Sequence, residues 1–178
     1  MPVEEALIEE TPYGRYVTSE GWFVHNLEDA LAVQTERGGA LYPLEPREVP
    51  FRDVGVNVRV LWPGDPSALY DAEDVQEGFL VLSGECLLVV EEQERRLRQW
   101  DYFHCPPDTR HVLLGADDGP CAILMLGARR DGATVRYPVS EVAGQHGASV
   151  PRETTDPDEA YAEWPDGFEP VRLAWPPA

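Results

Sequence analysis

Gly78-Phe79-Leu80-Val81-Leu82-Ser83-Gly84-Glu85-Cys86-Leu87-Leu88-Val89-Val90 carries two short apolar runs parted by Ser83-Gly84. Runs this short are marginal as helices but ordinary as strands, and the Ser-Gly break between them is a turn signal. The same grammar extends in both directions. Upstream, Val56, Val58, Val60 and Trp62 alternate with Asn57, Arg59 and Leu61 until the Pro63-Gly64-Asp65-Pro66 turn. Downstream, further strand-like runs occupy Arg95 to Arg98, Asp101 to Cys105, His111 to Leu114 and Cys121 to Leu126. They are separated by Glu92-Gln93-Glu94, Pro106-Pro107-Asp108 and Asp117-Asp118-Gly119-Pro120. No helical periodicity intervenes between residues 54 and 137, so βαβ architectures and their cofactor crevices are excluded. The spacing predicts an all-β fold, an antiparallel barrel or sandwich.

The flanks read differently. Residues 1–50 are acidic and irregular, an arm with one short helix expected at Asn26–Val33, capped by Asn26. Residues 51–137 form the barrel, and 138–178 an extension. In the extension, Ser140-Glu141-Val142-Ala143 opens one short helix. Asp156-Pro157-Asp158-Glu159 opens another, with an N-cap, an N1 proline and acids in the first turn. The closing stretch, with Trp164, Phe168 and Trp175 among prolines, is too aromatic for a linker and is expected to lie against a neighbouring surface. A chain of 178 residues fits a single domain with such appendages.

Composition removes several function classes. With 14 basic and 33 acidic residues the formal charge is −19, which repels phosphate backbones and anionic lipid, so neither nucleic acid nor membrane is expected as partner. Every basic residue is Arg, which excludes lysine Schiff-base and P-loop lysine chemistry. There is no apolar run of spanning length, and the start, Met1-Pro2-Val3-Glu4-Glu5, is acidic, so a cytoplasmic protein is expected. Cys86, Cys105 and Cys121 are odd in number and lack C-x-x-C spacing, and read as buried reduced thiols. Nucleophile-elbow, Walker and dinucleotide glycine patterns are absent, so no nucleotide cofactor is expected.

The chemistry-bearing stretches are Asp71-x-Glu73-x3-Glu77-x6-Gly84 and Asp101-x4-Pro106-x4-His111. Over about residues 56–127 they resemble the cupin superfamily. That family's first motif runs glycine, five residues, His-x-His, three or four residues, Glu, six residues, Gly. Its second half matches Glu77 to Gly84 without a gap, and the second motif matches at Pro106 and His111. Asp71 and Glu73 stand where the two histidines would be, and Gly64 lies one residue early for the opening glycine. Trp100 and Asp108 replace motif glycines, and Gly115 replaces the terminal Asn. The resemblance implies a cupin-type jelly-roll barrel that pairs as a homodimer and holds one divalent metal, zinc, manganese or iron.

Asp71 and Glu73 share a strand face, Glu77 begins the next strand, and His111 comes from a distant one, so a barrel lets all four point inward as metal ligands. Without a cation the same carboxylates repel one another and burial raises their pKa values, so at least one holds a proton near neutrality. The competing reading leaves Asp71 and Glu73 in a solvated loop, with Glu77 and His111 as a buried hydrogen-bonded pair. His104 and Cys105 are adjacent and must face opposite sides, and the prolines that follow hide which one faces in. Tyr70, Phe79 and His104 are the candidate contacts to a small-molecule ligand, with Tyr70 and Trp62 flanking the presumed mouth and Phe79 inward with Glu77. Three functions stay open: a binding barrel with a metal, a metal-free sensing barrel, and a metal-dependent isomerase or dioxygenase.

Overall fold

The computed structural model describes every residue except Arg47, Asp117, Asp166 and Ala178, so the first residue of the expected 117–120 turn lies outside it. Among the described residues, fourteen strands and two short helices follow in order. An N-terminal hairpin pairs β1 (Ile8–Thr11) with β2 (Gly14–Val17). Then come β3 (Ala32–Gln34), β4 (Ala40–Pro43), β5 (Val54–Leu61), β6 (Ala72–Glu73), β7 (Glu77–Ser83), β8 (Glu85–Val90) and β9 (Gln93–Arg98). After these run β10 (Tyr102–Cys105), β11 (His111–Gly115), β12 (Cys121–Ala128), β13 (Val135–Arg136), α1 (Glu141–Gln145), α2 (Pro157–Ala160) and β14 (Glu169–Val171). The two apolar runs on either side of Ser83-Gly84 are β7 and β8. Gly84 takes φ +70°, and a Cβ there would stand 2.4 Å from the Pro120 carbonyl oxygen, so the turn requires glycine.

The strands form two facing layers, both antiparallel. The larger sheet has the order β10-β7-β12-β5-β4-β3-β14, and the smaller has β11-β8-β9. The smaller sheet continues through paired backbone bonds between Asp71 and His111 into β6 and β13. This is the all-β jelly roll expected of a cupin.

Cross-strand partners share a face, so the register sorts the side chains. Leu61, Phe79, Val81, Cys86, Leu88, Cys105, Leu113, Cys121 and Ile123 meet between the layers as one buried cluster. On β5 the alternation puts Leu61, Arg59 and Asn57 inward, the last two opposite Ile123 and Met125 of β12. Val58 and Val60 point outward, onto a second buried cluster with Ala32, Ala40 and Tyr42. The proline-rich tail closes this outer face, with the Trp175 ring edge-on to Tyr42 at 5.9 Å. The surface it covers thus belongs to its own chain.

The structure differs from the sequence reading in the N-terminal segment. Residues 27–29 form a turn and Ala30 a bridge to Arg15, not a helix, with the Asn26 side chain accepting from Glu28 N at 3.0 Å. Ala32 and Val33 go on into β3, where pairing with β4 and β14 satisfies their backbone groups better than two isolated helical turns would. Thus residues 1–50, read as an arm, contribute two strands to the larger sheet. Both C-terminal helices form where their caps placed them: Ser140 Oγ accepts from Ala143 N at 2.9 Å and Asp156 Oδ1 from Asp158 N at 3.0 Å.

Two departures from the family's glycine pattern show in the backbone. Trp100 (φ 75°) and Asp108 (φ 65°) occupy left-handed conformations at positions where the motif carries glycine. For a bulky exposed residue such a conformation costs on the order of 1–2 kcal/mol. Trp100→Gly is therefore expected to stabilise the protein by about 1 kcal/mol in urea denaturation; an unchanged or lower midpoint would contradict this reading.

Candidate metal centre

Three potential ligands converge between the layers. Glu77 opens β7, Cys105 ends β10, and the two are cross-strand partners, so their side chains rise from one face side by side. His111 opens β11 in the opposing layer and is 4 % exposed. One ligand atom from each of the three lies within 4.8 Å of the others. His111 Nε2 is 3.7 Å from Glu77 Oε2, and Cys105 Sγ is 4.0 Å from the same oxygen and 3.6 Å from His111 Nδ1. His111 Nδ1 also lies 3.1 Å from the Thr109 carbonyl oxygen. A carbonyl only accepts, so that bond places the proton on Nδ1 and leaves the Nε2 lone pair facing Glu77. Phe79 and Phe103 flank the imidazole, with ring centroids 5.0 and 5.7 Å from it, and keep water from that side.

The other sequence-derived candidates fall in three places. Asp71 and Glu73 share the inner face with His111: Asp71 is its cross-strand partner, and Glu73 is two residues farther on. They stand outside the tight three-residue cluster but close enough for their charges to act on it and on each other. Phe79 lines the centre. Tyr70 does not: its ring is fully buried among Val89, Val112, Leu114, Ala143 and Ala148, beneath α1, and its hydroxyl accepts from Glu92 N at 3.3 Å. His104 is exposed, because the alternation along β10 turns Phe103 and Cys105 inward and Tyr102 and His104 outward. Trp62 packs partly buried on the outer cluster under the tail. Cys105 is the site residue that sequence reasoning placed in the core without a role. Its pairing with Glu77 was the missing signal.

Burial drives the whole cluster toward neutrality. It raises the Glu77 carboxyl to about 7, helped by the charge of Glu73. It pushes Asp71 well above the carboxylate range, helped by Glu77 and Glu73, and raises Glu73, helped by Asp74. The Cys105 thiol is pushed up to about 12 by burial and then by Glu77, and His111 is lowered by burial against the pull of its Thr109 bond. Free of any cation, burial draws the imidazole, the thiol and the acids toward their uncharged forms. A divalent ion reverses each preference, because it favours thiolate and carboxylate and takes up the bare imidazole nitrogen. The donors therefore fit such an ion: one nitrogen, one sulfur and one carboxylate oxygen, a set that leaves a coordination position open.

The comparisons agree with this architecture. Residues 57–127 match the cupin domain family. Among solved structures, a sugar phosphate isomerase of the cupin superfamily from Silicibacter pomeroyi is 18% identical, with a TM-score of 0.56 over 88% of this chain and 96% of that one. The polyketide cyclase RemF from Streptomyces resistomycificus is 13% identical, TM-score 0.54, covering 63% and 83% of the two chains. A cupin 2 conserved barrel domain protein from Salinispora arenicola is 15% identical, TM-score 0.50, covering 64% and 92%. No curated protein matches the sequence. Among the described residues no helix is long and apolar enough to cross a membrane.

The raised acid has a consequence for stability. A carboxyl whose folded pKa lies above its unfolded value stabilises the fold in its protonated form, fully below about pH 4.5 and decreasingly as pH rises through about 7. Chelator-treated protein is expected to lose a few kcal/mol between pH 5 and 8 in urea denaturation. Glu77→Gln should flatten that loss; a steeper loss in the variant would contradict it.

Proposed function

With residues 57–127 belonging to the cupin superfamily, we propose that the barrel binds a small organic molecule at one divalent cation held by Glu77, Cys105 and His111. The observation that carries this is the convergence of three different donor types, from strands of two layers, on one water-poor point. A sulfur donor favours zinc or iron over manganese. Bound there, the ion supplies a Lewis acid with open positions for the ligand. Asp71 and Glu73, on the same inner face, have their carboxyls raised by burial and are placed to exchange protons with the bound molecule. Phe79 and Phe103, stacked at 5.6 Å, give the centre an apolar flank. The names of two structural neighbours, a sugar phosphate isomerase and a polyketide cyclase, support a small organic substrate and a reaction of isomerase type. The reading includes pairing of two copies through their sheets.

A second reading rests on the His111 tautomer. With the Nδ1 proton donated to the Thr109 carbonyl oxygen, the bare Nε2 faces the Glu77 carboxyl at 3.7 Å, and a metal-free barrel would then orient a polar ligand with this pair. Elemental analysis of protein purified without added metal or chelator separates the two. The metal reading expects about one equivalent of zinc or iron, lost on His111→Ala and reduced by Cys105→Ser. Absence of metal in the wild type, even after zinc or iron is supplied, would reject it in favour of the metal-free barrel. Supplying zinc to chelator-treated protein at pH 7 should also release protons from Cys105 and Glu77, measurable by calorimetry in buffers of different ionisation enthalpy. No proton release on binding would contradict this ligand set.

A further inference from the structure

Arg59 is an arginine on the inner face of β5, between Leu61 and Asn57 and opposite Ile123 of β12. Its Nη1 donates to the Gly38 carbonyl oxygen at 3.0 Å, while its Nε is buried with no hydrogen-bond partner. No carboxylate among the described residues pairs with it, although the chain carries 33 acidic residues to 14 basic ones. A buried guanidinium with an orphaned donor is costly unless something anionic completes it.

The place where it ends is a cleft of about 300 Å³ at the seam between the larger sheet and the segment around Ser67. A second arginine, Arg37, lines the same cleft and likewise has no carboxylate partner among the described residues. Its guanidinium bonds the Gly147 carbonyl oxygen and lies 5.0 Å over the Trp164 ring. Tyr161, Trp164 and Phe168 form the remaining wall, with Tyr161 and Trp164 packed edge to face at 5.0 Å. The Tyr161 hydroxyl accepts from Leu69 N at 3.1 Å, which fixes this ring in the cleft wall. Apart from Arg59, Ser67 and Ala68, the walls come from segments outside residues 57–127, so most of the cleft lies outside the matched cupin domain.

We infer that this seam is an anion-binding subsite, in which Arg59 and Arg37 grip the phosphate or carboxylate end of a small molecule whose body lies against Trp164 and Phe168. Two guanidinium groups lining one cleft match the planar or tetrahedral oxygens of such groups, and an aromatic wall suits the organic remainder. At a net charge of −19 the protein as a whole repels anions, so saturable anion binding needs a built site. The inference extends the small-molecule reading of the barrel by assigning a charge to the ligand, but it does not require the metal.

The test is calorimetric titration of the full-length protein as purified, at fixed ionic strength, with inorganic phosphate and separately with benzoate. Saturable binding of at least one probe is expected, weakened about tenfold or more by Arg59→Gln and by Arg37→Gln. A preference for phosphate points to a phosphorylated ligand and a preference for benzoate to an aromatic or other carboxylate. Folding of each variant is checked by thermal melting. If Arg59→Gln does not fold, Arg37→Gln, whose side chain is only partly buried, decides. Metal content measured on the same variants should equal the wild type's, which separates a failure here from a failure of the metal reading. No saturable binding of either probe, or wild-type affinity in the folded variants, overturns the inference.

Discussion

Two backbone hydrogen bonds hold the site in register: Asp71 N to the His111 carbonyl oxygen at 3.1 Å, and His111 N to that of Asp71 at 2.9 Å. They join β6 to β11 and extend the smaller sheet past its three regular strands. Because strand partners share a face, this one pairing turns Asp71, Glu73 and His111 together toward the larger sheet, where Glu77 and Cys105 wait as partners of each other. A slip of one residue would send the imidazole outward into the Tyr70 cluster and bring Val112 to the centre, exchanging a polar cluster for an apolar one. The local turn supports the pairing, since Asp108 N donates to the Glu73 carbonyl oxygen at 2.7 Å and Thr109 N to that of Pro106 at 3.2 Å. Thr109 then offers its own carbonyl to the His111 ring.

The centre is also where the chain's charge is handled differently from its surface. Outside, acids meet arginines, as in Arg96 with Glu85 and Asp118, or Glu45 with Arg129. Inside, three carboxyls, a thiol and an imidazole share a space without any cation among the described residues. Desolvation therefore decides their protonation, and all are pushed toward their neutral forms. Ionising them needs a positive partner, and the donor set suits a soft or borderline divalent ion better than an arginine. Arg37 and Arg59, which have no carboxylate partner among the described residues, sit apart, at the seam beside Tyr161.

The fold was legible because its signal is period two, and period two survives in β5, β7, β8 and β12 with turn residues at each end. Glu77 and His111 were legible because motif spacing marks them. What stayed hidden depends on registers between distant segments. Nothing local shows that Glu77 faces Cys105, and Pro106-Pro107 cuts the alternation that would have tied β10 to His111. Tyr70 reads as an aromatic ring at a barrel mouth, yet it lies one residue before Asp71 and so on the opposite face, where Ala143 and Ala148 of the C-terminal extension cover it. The helix expected at residues 26–33 failed for a similar reason: its small apolar residues satisfy a sheet edge that no local pattern reveals. Trp100 and Asp108 show the reverse, a glycine pattern broken in sequence while the backbone keeps the conformation glycine favours.

The most direct measurement is an anomalous-difference map from crystals of the protein carrying its own metal, collected at the zinc and iron edges. The account predicts a single peak within bonding distance of Glu77, Cys105 Sγ and His111 Nε2, between the two layers. A peak bound elsewhere, or no peak in crystals supplied with either metal, would contradict it.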